Sequence, residues 1–271
     1  MDARILLIGF GNMGQALVRG WLDHGLDASS IHVVDPDPLA LDAAQEFGLV
    51  GSRDAAEAAG HSPDVVLLAV KPAQLGDVLR TCSPLLAGAR PLCLSIAAGK
   101  PIASMAAVLG DDAAIVRAMP NTPAAIGRGM TVLTPSSRVD PRQRALAEAL
   151  MSAVGDVAWV DDERLMDAVT AVSGSGPAYV FLLIEALTRA GIAAGLDPPL
   201  AGRLATVTAA GAGAYAQASG EAAAELRCRV TSPGGTTEAA LNILMQDDAF
   251  AALLERAVLA AAERSRELSA E

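Results

Sequence analysis

The hexapeptide Gly9-Phe10-Gly11-Asn12-Met13-Gly14 follows the apolar run Ile5–Ile8 and leads into a helical pattern from Gln15 to His24. A strand that turns at once into a helix needs a permissive backbone at Gly9, and no side chain where helix and strand cross at Gly14. Gly11 leaves the backbone bare for a pyrophosphate, and the helix start offers its free amides. A second apolar run, Ile31–Val34, ends in Asp35, near the position about 20 residues on where a dinucleotide fold places its ribose-binding acid. The residues from Ile8 through Gly14, with Asp35, are therefore expected to hold a dinucleotide. A glycine-rich strand–helix turn without ligand is the plainer alternative.

The alternation continues with helix Leu39–Phe47, strand Val65–Val70, helix Leu75–Leu86, strand Leu92–Ile96, helix Ile102–Leu109 and strand Ala114–Arg117. Repeated strand–helix units predict a doubly wound, Rossmann-type α/β sheet over residues 1–161. Beyond Asp161 the pattern changes to helices only: Arg164–Val172, Ala178–Ala194, Pro198–Ala218, Thr237–Gln246 and Ala249–Leu268. Residues 162–271 are thus expected to form an all-α domain. Its long middle helix is apolar on nearly every face, which suits burial between subunits; a monomeric bundle is the alternative.

Hydrophobic residues make up 52% of the 271, yet aromatics only 3%, so the apolar mass is small and aliphatic and suits close helix packing. A net charge of −11 argues against nucleic acid as a partner. The longest apolar stretch, Tyr179–Leu196, is interrupted by Glu185 and Arg189 and is not expected to span a membrane. Cys82, Cys93 and Cys228 show no metal-ligand spacing, and no metal is expected. With no signal-peptide pattern at the N-terminus, the expected location is cytoplasmic.

The acid–base inventory narrows the chemistry. Lys71 and Lys100 are the only lysines, and His24, His32 and His61 the only histidines, so the helical half has neither residue type. Reducing a ketone or oxidising an alcohol normally needs a proton donor of tuned pKa, often one of these two. An imine is more basic than a ketone and can arrive already protonated, so a C=N substrate fits better. Two glycine–hydroxyl clusters offer neutral donors instead: Ser173-Gly174-Ser175-Gly176-Pro177-Ala178, and Val230-Thr231-Ser232-Pro233-Gly234-Gly235-Thr236-Thr237-Glu238. In the second, the Gly234, Gly235 and Thr236 amides and the Ser232, Thr236 and Thr237 hydroxyls can converge on a small carboxylate at a helix start. An ordinary Ser-Pro-Gly-Gly turn with a threonine N-cap has the same composition.

Along essentially its whole length the chain resembles the pyrroline-5-carboxylate reductase family. The stretches that carry the resemblance are Ile8–Gly14, Ala69-Val70-Lys71-Pro72, Ser95-Ile96-Ala97-Ala98-Gly99, Arg117–Pro123, Asp167–Tyr179 and Val230–Leu241. The resemblance implies reduction of 1-pyrroline-5-carboxylate to L-proline by NADPH or NADH, the last step of proline synthesis. It also implies a helical C-terminal domain interleaved with its twofold mate, as a dimer or a ring of dimers. By motif it implies cofactor contacts from the Ala69–Pro72 and Ile96–Ala98 backbones, with Asn121 near the nicotinamide. Ser232 with the Gly234–Thr236 amides is implied as the carboxylate clamp, Thr237 as the hydroxyl on the ring nitrogen, and Glu163 as a further substrate-side contact.

Two departures stand out. The family's His-Pro-x-x-Leu-Lys-Asp run is replaced by Ala222–Arg229, which leaves open any cofactor contact from Arg229. Asp35 replaces a residue that is neutral in many relatives. By the simple rule, Asp35 favours NAD over NADP by accepting the ribose hydroxyls and repelling a 2′-phosphate; Arg53, if near the same pocket, would act the other way.

Overall fold

A computed structural model describes residues 3–58 and 60–270. Contacts divide it into two compact units, Met1–Gly174 with Ala261–Glu271, and Ser175–Ala260. Helices alone follow the last strand, as the change of pattern after Asp161 predicts, but the packing division falls later in the chain. It also returns the C-terminal turns to the first unit.

In the first unit, β1 (Ile5–Ile8) leads into α1 (Asn12–Asp23), β2 (Ile31–Val34) into α2 (Pro38–Glu46), and β3 (Val50–Ser52) follows. Then come β4 (Val65–Leu68), α3 (Leu75–Ala89), β5 (Leu92–Ser95), α4 (Ile102–Leu109) and β6 (Ile115–Met119). The unit continues with β7 (Gly129–Pro135), α5 (Pro141–Ser152), β8 (Gly155–Trp159) and the short α6 (Met166–Val169). One eight-stranded sheet results, in the order β3-β2-β1-β4-β5-β6-β7-β8. All neighbours are parallel except β6 and β7. The order reverses direction between β1 and β4, and ligands of open α/β sheets bind outside the strand ends at such a switch point.

Strands β1, β4 and β5 are buried on both faces, as their uninterrupted apolar sequences require. On one face Leu7, Val33, Leu67 and Leu94 pack with Leu17 and Trp21 of α1. Trp21 lies fully buried, and its indole N–H donates to the Leu150 carbonyl of α5 at 2.8 Å, which ties two helices across that layer. On the other face Leu6, Val66 and Cys93 pack with Leu75, Leu79 and Met105.

The second unit holds α7 (Gly176–Ala193), α8 (Pro198–Ser219), α9 (Ala223–Arg229) and α10 (Thr236–Leu244). It also holds the first half of α11 (Ala249–Ala270). Asp197 caps α8, its carboxylate accepting from the Leu200 amide at 3.2 Å, and Gly220 ends that helix at φ +65°. Helices α7 and α8 form a close hairpin: a Cβ at Gly191 would lie 3.3 Å from the Ala201 methyl. Inside this pair the buried side chains are the alanines 201 and 205. Large apolar side chains, Phe181, Leu182, Leu204 and Val207 among them, stay exposed.

Candidate active site

Each glycine of the hexapeptide has its own reason to lack a side chain. Gly9 sits at φ +94°, and a Cβ there would come within 2.6 Å of the Ala69 carbonyl oxygen. A Cβ on Gly14 would meet the Gly9 carbonyl oxygen at 2.7 Å. At Gly11 a Cβ would meet nothing within 4 Å. The fold requires the first and last glycines, while the middle one faces open space, as it must where a pyrophosphate comes close. The N-cap of α1 is this same Gly11, with no side chain on its free amides. The loop therefore fits a dinucleotide phosphate.

Beside the loop lies a cleft of about 380 Å³, lined by Ile8, Gly9, Gly11, Asp35, Ala69, Val70 and Lys71 from the expected set. Arg53 and Asp54, at the end of β3, complete its far side. Cys82 also reaches the cleft; burial pushes its thiol up to about 11, so it is no nucleophile there. Other expected contacts stand around the cleft without lining it. Phe10 is buried with its ring against Phe47, and its backbone amide faces Asp35. Asn12 and Met13 line a separate groove with Thr122. Pro72 opens a short 3-10 turn, and the backbone of Ile96–Ala98 leaves the end of β5, its Ile96 amide bonded to the Leu68 carbonyl.

Asp35 stands at the rim, but its oxygens are already engaged. Oδ2 accepts from the Phe10 amide at 2.8 Å, and Oδ1 from the Asp37 amide at 2.9 Å. The carboxylate thus faces the glycine loop, although Pro36 follows it directly in the chain.

Asn121 is a strut. Its Nδ2 donates to the Ser173 carbonyl at 3.1 Å, and its Oδ1 accepts from the Met130 amide at 2.9 Å. The Ser173 motif makes this possible by a single π-helical turn, Thr170–Gly174, which sets Gly174 so near Met119 that a Cβ would lie 2.4 Å from its terminal methyl. Such turns are often retained at functional sites. Glu163 is likewise committed within the first unit, accepting from Arg117 Nη1 at 3.0 Å and from the Ile102 amide at 2.8 Å. Its second oxygen, Oε2, makes no hydrogen bond among the described residues.

In the second unit the C-terminal turn differs in detail from the expected three-amide clamp. The Gly234 amide, at φ +70°, donates to Glu238 Oε2 at 2.8 Å, and the Gly235 amide to the Ser232 carbonyl at 3.0 Å. Both donors are spent holding the turn. What remains is the Thr236 amide at the first position of α10, with the hydroxyls of Ser232, Thr236 and Thr237, none hydrogen-bonded among the described residues. The N-cap of α10 is Gly235 rather than a threonine, so the helix start has no side-chain cap. An uncapped helix start ringed by free hydroxyls suits a carboxylate. Arg229 is held by Glu221, with Nη1 to Oε1 at 2.9 Å.

Comparisons with known proteins place the whole chain in one family and fold. Residues 163–268 match the family model described as pyrroline-5-carboxylate reductase dimerisation, and residues 4–99 the model described as NADP oxidoreductase, coenzyme F420-dependent. A pyrroline-5-carboxylate reductase of Pseudomonas aeruginosa is 46% identical over 98% of this chain and 97% of its own. The solved structure of a pyrroline-5-carboxylate reductase from Coxiella burnetii superimposes with a TM-score of 0.94 at 38% identity, covering 99% of each chain. That of the Plasmodium falciparum pyrroline carboxylate reductase with NADP bound gives 0.85 at 29% identity, covering 99% of this chain and 98% of that one. By identity and coverage over nearly its whole length, this chain belongs to the pyrroline-5-carboxylate reductase family.

Proposed function

We propose that the protein reduces 1-pyrroline-5-carboxylate to L-proline, the closing step of proline synthesis. The observation that carries this reading is the C-terminal turn: an amide and three hydroxyls with no hydrogen bond among the described residues, at an uncapped helix start, in a unit without lysine or histidine. Such a site can hold a carboxylate and a ring nitrogen, but it has no imidazole or ammonium group to protonate a ketone oxygen.

Bound NADPH or NADH supplies the hydride, which adds to C5 of the ring imine. Gly9, Gly11 and Gly14 let the cofactor phosphates reach the α1 amides, while Ser232 and the Thr236 amide orient the substrate carboxylate. Thr237 keeps a hydrogen bond on the nitrogen as it changes from iminium to amine, so positioning carries most of the rate. Asn121 keeps the π-turn and the β6–β7 edge in place.

The protein works as a dimer or a ring of dimers, with the exposed leucines and Phe181 of α7 against a second copy. The run Glu163–Ala193 is long and apolar enough, by length and composition, to cross a membrane; we read its exposure as a subunit face. A reducing, cytoplasmic setting suits the three free cysteines.

Loss of reduced-nicotinamide absorbance with the cyclic imino acid is the direct test. No turnover alongside tight cofactor binding would favour a dinucleotide sensor. Turnover of an open-chain hydroxy acid in place of the imine would overturn the reading.

A further inference from the structure

We propose that Arg53 reads the 2′-phosphate of NADPH and makes the protein prefer it to NADH, while Asp35 acts as a pin for the glycine loop. The inference rests on the dinucleotide reading above and names which cofactor the cleft is built for.

Three carboxylates line the cleft, and each has a local partner. Asp35 accepts the Phe10 and Asp37 amides, Asp54 accepts the Ala56 amide at 2.8 Å, and Asp77 pairs with Arg80. Its two cations, Arg53 and Lys71, make no ion pair among the described residues. Asp35 and Asp54 keep their charge but turn lone pairs to backbone amides, while Arg53 and Lys71 line the cleft with no carboxylate partner among the described residues.

Strand order assigns those cations to different parts of the cofactor. The phosphate-binding loop follows β1. Lys71 follows β4, one strand to one side, and Arg53 follows β3, two strands to the other side. In a dinucleotide fold the adenosine ribose lies toward the end of β2. Arg53 is next to that point: Val34 pairs with Ser52 in the sheet, and the Asp35 amide donates to the Ser52 carbonyl at 3.1 Å. A guanidinium there can grip a phosphate with two parallel N–H groups. Asp35 accepts from two backbone amides and so holds the loop to the turn after β2, a task independent of which cofactor binds.

The test is steady-state kinetics of the full-length protein with both cofactors. The wild type should favour NADPH in kcat/KM. Arg53→Ala should lower kcat/KM for NADPH about tenfold or more, through KM, while NADH changes less than about twofold, and Arg53→Lys should recover part of the loss. Wild-type preference for NADH, or an equal effect of Arg53→Ala on both cofactors, or no effect on either, overturns the proposal. Calorimetry with 2′,5′-ADP against 5′-AMP gives a readout free of substrate. If the imine is not turned over but Arg53→Ala still selectively weakens 2′,5′-ADP, the catalytic reading falls and this one stands.

Discussion

Arg117 and Glu163 form a largely buried ion pair, Nη1 to Oε1 at 3.0 Å, and the same carboxylate oxygen also takes the Ile102 amide at the start of α4. Arg117 lies on β6, so one carboxyl group joins the sheet, a helix start and the segment that leads into the π-turn. Removing it leaves a guanidinium without its partner in the interior, which costs more than the pair contributes when intact. Glu163→Ala should lower stability by about 2 kcal/mol, read from the urea midpoint, and Glu163→Gln by less. A raised KM for the imino acid at unchanged stability would instead favour the substrate-side role implied by family resemblance.

Thr237→Val keeps the shape at the second position of α10 and removes the hydroxyl. Its expected effect is a fall in kcat of about a hundredfold with an unchanged circular dichroism spectrum. Wild-type turnover in this variant would remove Thr237 from the mechanism.

His32 titrates below its usual range because burial disfavours its charged form and His61, with ring centroids 5.6 Å apart, adds repulsion; Glu57 opposes weakly. A base whose folded pKa is depressed contributes stability above its unfolded pKa, near 6.5, and loses it as pH falls through the folded value. Stability should therefore drop as pH falls below about 6.5, and His32→Gln should flatten that drop. Equal slopes for both proteins, measured by denaturant titration, would exclude His32 as the source.

Phe181, Leu182 and Leu183 are exposed in the single chain on α7. Phe181→Glu would bury a charge if this face meets a second copy, so sedimentation should show a shift towards monomer with loss of activity. An oligomer of unchanged size would place the interface elsewhere.

The glycine loop could be read from sequence because its demands are local: a strand, three glycines and a helix in one short segment. Strands β1, β2, β4, β5 and β6 were legible for a similar reason, as apolar runs between helical patterns. Strand β3 was not, since Val50-Gly51-Ser52 is three residues with a glycine in the middle. Nor were β7 and β8: Thr131 and Thr134 break the apolar run without strict alternation, and Gly155 sits at φ +149°, tight against Gly129. Their place in the sheet comes from a reversal after β6 through the short 3-10 turn Thr122–Ile126, where the pattern of the earlier units would put an α-helix. The site was legible as residue types but not as bonding. That Phe10 would occupy an Asp35 oxygen across 25 positions, or Glu238 the Gly234 amide, depends on how side chains turn once the backbone is set.

The closing turns of α11 pack with the first unit: Ser265 donates to Asp167 at 2.7 Å, and Leu268 lies against Gly99. The helical unit is thus an insertion, left and re-entered by one polypeptide. During synthesis the sheet can form early, but Asp167 waits for a neighbour 98 residues downstream and Gly99 for one 169 residues downstream. A ribosome stalled before residue 261 would hold a nascent product whose nucleotide fold is assembled yet still open along that seam.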